Sequence, residues 1–240
     1  MLFQILDIER ILQVFIVQGL IMIFFLYISY LIVKRGKKRL NIIFSIAYLC
    51  IALGLLINII YAIVLYEPIT TVLAYVTHYF LAIGPVFLLL FNLIVLKSEK
   101  IVSKPIQNIM ILVYGIIFTS IFFFIPFNGI TINSLTNWRS VWTLEFYIYF
   151  LTIITLLTTI PNFYSSFRVY FSFENPELEK KWRFFLIGLV GLYSYMYGAF
   201  TANYINIPTF RLVMGILGLS IAVFLYLMYY GVGRQLEEEA

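Results

Sequence analysis

The sequence predicts an all-α integral membrane bundle of seven transmembrane helices, with the N-terminus outside and the C-terminus in the cytoplasm. Three observations lead to this prediction. Of 240 residues, 63% are hydrophobic and only 11% are charged, whereas soluble domains carry about 25% charged residues. Seven apolar runs each approach or exceed the roughly 20 residues that a helix needs to cross a bilayer. Lysine and arginine are concentrated in alternate connections between these runs.

The seven apolar runs occupy most of the chain, so we expect a single transmembrane domain over residues 1–240. Backbone polar groups in lipid must be satisfied within each segment, and unbroken apolar runs of this length therefore predict helices. The acidic residues Asp7 and Glu9 precede the first run, which favours a permanent helix over a cleaved signal. The predicted spans are 11–33, 42–65, 71–96, 106–125, 141–160, 184–203 and 209–230.

The basic residues predict the orientation of the bundle. All but three of the 16 lysines and arginines lie in the first, third and fifth connections or after the last span. The three exceptions are Arg10, Arg139 and Arg211. Because Lys and Arg are retained in the cytoplasm, the basic connections are predicted to face inward in a plasma membrane. The run KRGKKR (34–39) is expected to bind anionic lipid headgroups, and no nucleic acid is expected as a partner.

The sequence lacks the residues that several kinds of catalytic site, metal centres and disulfides require. Asp7 is the only aspartate, His78 the only histidine and Cys50 the only cysteine. Paired aspartates, a histidine-rich metal centre and a disulfide are therefore excluded. No P-loop and no G-x-S-x-G motif is present. We expect no catalytic residues, no metal and no cofactor, and an enzyme is the less favoured class. The middle of each span lacks charge, which argues against an ion-coupled antiporter.

Helical periodicity indicates which polar side chains turn away from lipid. His78 and Asn92 belong to a stripe with seven-residue spacing in the third span. In the fifth span, Trp142, Glu145 and Tyr149 form a similar stripe. We therefore expect these faces to point into the bundle.

At about 1.5 Å rise per residue, polar groups from several spans fall in the outer half of the bundle. A buried polar group is costly unless it is paired, so these groups are predicted to meet each other, water or a ligand. The hypothesis is a small neutral or weakly charged ligand that enters from outside. The candidate ligand-binding residues are Asn58, His78, Trp142, Glu145, Tyr197, Asn203 and Arg211.

Each candidate also has a purely structural interpretation. Glu145 and Arg211 are compatible with a salt bridge between the fifth and seventh spans, or with side chains that reach water at the interface. His78 fits a packing residue, and the asparagines fit hydrogen bonds between helices. Trp142 suits an aromatic belt at the outer interface, and Tyr197 suits an aromatic packing stripe.

Small residues predict close helix packing in the last span. Arg211, Gly215 and Gly218 share one helical face, and small residues allow helices to approach closely in membranes. Gly231 is placed at the membrane edge. We therefore expect Gly215→Leu or Gly218→Leu to disrupt folding more than Gly231→Leu.

The run ELEKKWRFFLIGL (177–189), a charged segment leading into the apolar sixth span, resembles the seven-helix sensor regions at the front of many prokaryotic histidine kinases. The resemblance extends to the seven-span arrangement with the N-terminus outside. It implies a receptor-like sensor that binds a small ligand and takes part in signal transduction. The last span exits through GVGRQLEEEA (231–240), where such a sensor continues into a signalling helix. No kinase domain follows, so signalling is expected to require a separate cytoplasmic partner or a homodimer.

The competing hypothesis is a small-solute transporter. Spans one to three and five to seven have the same orientation, which allows a 3+1+3 parallel repeat like that of the sugar carriers called SWEETs. KKRLNIIFSIAYL before Asn58 and KKWRFFLIGLVGL before Asn203 are alike at similar spacing. The chain has no Pro-Gln dipeptide, and prolines are absent from the second, sixth and seventh spans. A carrier also needs a polar route to the cytoplasm, for which Asn92 and Asn162 are the candidates.

Overall fold

The computed structural model describes residues 10–232. Seven helices in this part of the chain are long and apolar enough to cross a membrane. The all-α prediction is confirmed, with one short two-stranded sheet as an addition. The helices are α1 (Ile11–Arg35), α2 (Arg39–Ile63), α3 (Glu67–Lys97), α4 (Lys104–Phe127), α5 (Leu144–Tyr170), α6 (Pro176–Ile205) and α7 (Pro208–Val232). Asp7, Glu9 and the segment 233–240 lie outside the described residues.

Most predicted spans agree with the helices to within a few residues, but the fifth ends too early and the sixth begins too late. The prediction ended the fifth span at Ile160, before Pro161, whereas α5 continues to Tyr170. Proline lacks an N–H group and crowds the carbonyl one turn earlier, which normally ends or kinks a helix. Here the helix widens into π-type turns over Thr155–Thr159 directly before the proline, and this wider turn accommodates the missing hydrogen bond.

Asn175 and Pro176 form the turn that opens α6. The Asn175 side chain accepts a hydrogen bond from the Glu177 backbone N–H at 2.9 Å, and Pro176 occupies the first turn of α6. Asparagine at the cap and proline at the first helical position are the residues that favour a helix start. α6 therefore begins eight residues before the predicted span and carries its charged first turns beyond the apolar run.

The bundle has two different ends. The basic end holds the connections 36–38, 98–103 and 171–175. The hairpin end holds the connection 64–66, the segment 128–143 and the connection 206–207. Within the segment 128–143, strand β1 (Ile130–Thr131) pairs antiparallel with strand β2 (Val141–Trp142), and Ile130 lies opposite Trp142. The Ile130 N–H donates to Tyr75 Oη of α3 at 3.0 Å, which fixes the hairpin on the bundle.

The half of the bundle near the basic end is filled by aromatic rings. Phe44, Phe91, Trp182 and Phe185 are all fully buried. The rings of Phe44 and Phe91 stack with centroids 4.5 Å apart, and those of Trp182 and Phe185 lie 4.6 Å apart. Trp182 Nε1 donates to the Ser166 carbonyl at 2.9 Å, so its polar edge is satisfied. This cluster joins α2, α3, α5 and α6.

Glycines allow the close approach of α6 and α7. The space around them differs from the prediction, which placed Gly215 in a tighter contact than Gly231. A Cβ added at Gly231 would lie 2.6 Å from the Phe185 nitrogen and 2.7 Å from the Lys181 carbonyl oxygen. A Cβ at Gly215 would meet only the Gln13 side chain, at 3.4 Å. Gly231 is therefore the tighter position. The physical reason is that Gly231 faces the backbone of α6, whereas Gly215 faces the flexible Gln13 side chain of α1.

Candidate functional site

A cavity of ≈ 140 Å³ lies at the hairpin end, enclosed by α1, α2, α3, α6, α7 and the segment that precedes β2. An engineered cavity of about 150 Å³ holds benzene, so this volume suits a small organic molecule. Its floor is apolar and includes Phe25, Ile51 and Leu192. Its polar lining residues are Arg10, Gln13, Gln18, Asn58, Tyr61, Thr77, His78, Trp138, Arg139, Ser140, Tyr195, Asn203 and Arg211.

Arg211 reaches the cavity from the first turns of α7. Pro208 opens this helix, and the arginine that follows is only 6% exposed. Its Nη2 donates to the Ser140 carbonyl at 2.6 Å, and its Nη1 lies 3.4 Å from Asn203 Oδ1. The Arg211 Nε has no partner among the described residues. One guanidinium thus connects α7, the end of α6 and the segment before β2. Its Nε–H group remains an available hydrogen-bond donor.

Arg10 lies beside the start of α1 and is 3% exposed. Its Nη1 donates to the Asn137 carbonyl at 2.9 Å, while Nη2 has no partner among the described residues. Burial lowers the pKa of Arg10, and the positive charge of Arg139 lowers it further, against an opposing effect of Tyr61. Two arginines from opposite ends of the sequence therefore both donate to the segment before β2.

The α3 wall of the cavity carries His78 and Thr77. His78 Nδ1 lies 2.6 Å from the Ala74 carbonyl oxygen. Because a carbonyl can only accept, Nδ1 carries the proton and donates. The His78 ring meets Trp142 edge-on, with centroids 4.7 Å apart. Thr77 is 2% exposed, and its hydroxyl has no partner among the described residues.

The α2 wall carries Asn58 and Tyr61, both buried. Asn58 Nδ2 donates to Gln18 Oε1 of α1. This hydrogen bond matches the interhelical role that asparagine usually has in membrane helices. Asn58 therefore has a structural partner as well as a place on the cavity surface.

Four of the seven candidate residues lie together on the cavity surface: Asn58, His78, Asn203 and Arg211. Trp142 lies directly behind them, because it packs on His78 and stacks on Phe200 at 5.5 Å. Its Nε1 donates to Ser140 Oγ at 3.0 Å. Whether these residues bind a ligand stays a prediction, but their convergence gives the hypothesis a physical location.

Tyr197 and Glu145 are placed elsewhere. Tyr197 Oη lies 2.5 Å from Thr155 Oγ1 and 2.8 Å from Thr159 Oγ1, so it joins α6 to the wide turn of α5. Glu145 is exposed in the first turn of α5. Within residues 10–232 it forms no ion pair with Arg211, whose Nη1 and Nη2 donate to Asn203 and Ser140 instead.

The placement of Glu145 has two physical causes. The face of α5 that enters the bundle is set by bulky residues, and Phe146, Phe150 and Ile154 are buried there. The polar stripe predicted for this helix is therefore the wrong face. A carboxylate in the first turn of a helix is also favoured by the helix dipole while it remains in contact with water.

Sequence reasoning missed several residues that line the cavity, chiefly Arg10, Gln13, Gln18 and Arg139. Signals for them were present. Arg10 and Arg139 are, with Arg211, the only basic residues assigned to that side. Gln13 and Gln18 are the polar residues in the first half of an otherwise apolar run. Basic residues on the side that carries few of them, and glutamines within an apolar run, are signals of a polar site.

The described residues contain no group of three or more His, Cys, Asp or Glu side chains that could hold a metal ion. Cys50 is buried in α2. Hydrogen-bond donors dominate the polar part of the cavity surface, so it is suited to binding a group that offers acceptor atoms. No family model, curated protein or solved structure matches this chain.

Proposed function

We propose that this chain is a multi-pass plasma-membrane protein of the sensor or receptor type, which binds a small ligand in the hairpin-end cavity. The observation that carries the proposal is the contrast between the two halves of the bundle. A polar cavity lies at the hairpin end, whereas aromatic rings fill the other half. A binding site that is accessible from one side fits a receptor.

The orientation follows from the distribution of charge. The connections at the basic end, together with the helix ends that flank them, carry most of the lysines and arginines, and such segments stay in the cytoplasm. The hairpin end, with its cavity, then faces outward. The basic connections are positioned to bind anionic headgroups of the inner leaflet.

The alternative is a transporter, and the asparagines of the basic half argue against it. Asn92 Nδ2 donates to Asn162 Oδ1 at 2.9 Å. Asn162 Nδ2 in turn donates to the Pro85 carbonyl at 3.0 Å and to Tyr193 Oη at 2.9 Å. Both asparagines are fully buried. The side chains that a carrier would need for a route to the cytoplasm are thus engaged in joining α3, α5 and α6.

In this proposal, α7 transmits the effect of ligand binding from the cavity to the basic end. This helix begins beside Arg211 at the cavity and ends against Lys181 and Phe185 at the basic end. The helical hydrogen-bond pattern of α7 is interrupted at Leu219 and Ser220, and we place the movement of its two halves at this turn. A separate cytoplasmic protein or a second copy of the chain is the partner that this arrangement calls for, in keeping with the resemblance to kinase sensor regions.

A distance measurement tests the proposal. Spin labels are attached at Lys180→Cys and Tyr230→Cys, both exposed near the basic end, in a Cys50→Ala background. Small solutes that raise the thermal-unfolding temperature are then added. We expect the distance between the labels to change by about 1–2 Å, as helix shifts in signalling do. Ala199→Phe, which fills the cavity, should abolish both effects. Binding with no movement, or no binding by any solute, would contradict the proposal.

A further inference from the structure

Three buried donor groups that belong to residues lining the cavity have no partner among the described residues. They are Arg10 Nη2, Thr77 Oγ1 and Arg211 Nε. Each belongs to a side chain that is at most 6% exposed. Buried polar groups are normally hydrogen-bonded, and a charged donor left without an acceptor is especially unfavourable. Three such donors in residues that line one small cavity favour a ligand that supplies acceptor atoms.

The charge of the cavity gives the same indication. Arg10, Arg139 and Arg211 all line it, and Arg139 lies within electrostatic range of both others. Among the described residues, no aspartate or glutamate lines the cavity. Glu67 and Glu145, the described carboxylates of this end, are exposed, and Glu67 accepts from Asn133 at 3.4 Å. Burial disfavours the charged form of a guanidinium, so a bound negative charge would stabilise the buried Arg10 and Arg211 side chains.

We infer that the ligand of the hairpin-end cavity carries an oxyanion, a carboxylate or a phosphate, which is held by Arg10 and Arg211. The inference rests on the proposed function and specifies the chemical class of the ligand. A guanidinium group matches the planar geometry of carboxylate and phosphate oxygens, and such charge-assisted hydrogen bonds are short and strong. Arg10 and Arg211 each use one nitrogen to hold the segment before β2, and each directs a second nitrogen at the ligand.

The apolar residues of the cavity indicate which chemical group is attached to the oxyanion. Ile21, Phe25 and Leu55 line the cavity below the arginines. A short hydrocarbon group attached to the oxyanion would bury its surface against them. The occupant is therefore a small amphipathic anion, supplied either as a free solute or as the headgroup of a lipid.

The test compares two probes that differ only in charge. Propionate and its neutral isostere propionamide are titrated against the purified full chain at constant ionic strength, and the shift in unfolding temperature is recorded. We expect propionate to stabilise the protein saturably and propionamide to have little effect. Arg10→Gln and Arg211→Gln should each weaken the apparent affinity for propionate about tenfold or more. Arg168→Gln, an exposed arginine at the basic end, is the matched control and should leave the affinity unchanged.

Equal stabilisation by the two probes, or full affinity in both arginine variants, would overturn the inference but leave the proposed function standing. Failure of a wider solute panel to bind would remove the proposed function itself. Asp7 and Glu9 lie outside the described residues. If propionate binds only after Asp7→Asn and Glu9→Gln, the chain's own carboxylates supply the anion and the inference is overturned.

Lipid nanodiscs distinguish the two sources of the oxyanion. If propionate stabilises the protein in nanodiscs of phosphatidylcholine alone, the oxyanion is assigned to a free solute. If phosphatidylglycerol stabilises the wild-type chain more than Arg211→Gln, and propionate adds nothing to that effect, the oxyanion is assigned to a lipid headgroup. Identical stability of wild type and Arg211→Gln in both lipids, with no response to propionate, would contradict an anion site.

Discussion

Arg211 Nη2 donates to the backbone carbonyl of Ser140 at 2.6 Å, and this hydrogen bond connects residues 71 positions apart in the sequence. Ser140 directly precedes β2, and Arg211 lies in the first turns of α7. The position of the hairpin is therefore coupled to the helix that runs to the basic end. A ligand that competes for the same guanidinium would change both together.

Replacing Arg211 by methionine should loosen the hairpin and destabilise the fold. Hydrogen bonds to charged groups contribute about 1.5–3 kcal/mol each, and the Ser140 carbonyl would lose its partner. Hydrogen exchange measured across residues 138–142 should become faster than in the wild type. Arg168→Met, at an exposed position, is the control and should leave this exchange unchanged. Unaltered exchange in Arg211→Met would show that the hairpin is held by other contacts.

The glycines of the α6–α7 interface should not tolerate even one methyl group. A Cβ at Gly188 would collide with the backbone of Phe224 and Met228, and one at Gly231 with the backbone at Phe185. Overpacking of this kind costs typically about 1–3 kcal/mol. Gly188→Ala and Gly231→Ala should therefore lower the unfolding temperature in detergent.

The control for the glycine variants is Gly19→Ala. An added Cβ there meets nothing within 4 Å, and alanine favours a helix over glycine by roughly 0.5–1 kcal/mol. This variant should be neutral or stabilised. If all three variants unfold at the wild-type temperature, the close approach of α6 and α7 is incorrect.

Asn162 should be one of the most sensitive polar positions. Its side chain joins Asn92, the Pro85 carbonyl and Tyr193, so Asn162→Ala leaves several buried groups without partners. The expected loss is about 1–3 kcal/mol for each group that stays unsatisfied. Asn108→Ala, an exposed asparagine of α4, should have no comparable effect. Chemical unfolding of the two variants provides the comparison. Equal stability would show that the hydrogen bonds of Asn162 do not stabilise the fold.

Labelling of intact cells tests the orientation. Leu135 is 92% exposed at the hairpin end, and Lys100 is exposed at the basic end. In a Cys50→Ala background, a membrane-impermeant maleimide should label Leu135→Cys and spare Lys100→Cys. The reverse pattern would place the basic connections outside and invert the proposed topology.

Sequence patterns could predict the helices because hydropathy is a local property. Each apolar run is long enough to approach or exceed a bilayer crossing, so the limits of α2, α3 and α7 were recovered within a few residues. The extension of α5 beyond Pro161 depends on the π-type turns that precede the proline. No simple residue pattern signals such turns, and a proline normally indicates the end of a helix.

The site was less predictable, because it depends on which faces meet in three dimensions. Helical periodicity correctly predicted that Asn58 and His78 face the interior of the bundle. It failed for Glu145, since the bulk of Phe146 and Phe150 decides which face of α5 is buried. It also could not bring Arg10 and Arg139 to one cavity, as their contacts with the rest of the site span more than one hundred residues.

The central claim, a binding cavity that opens on one side only, is tested most directly by Ala199→Cys in the Cys50→Ala background. Ala199 lines the cavity from α6. An impermeant thiol reagent is applied to sealed right-side-out and inside-out vesicles, with Leu135→Cys and Lys100→Cys as markers of the two sides. We predict that Ala199→Cys reacts only from the side that labels Leu135→Cys. Reaction from the side that labels Lys100→Cys would contradict the account, because the cavity would then open to both sides, as in a carrier.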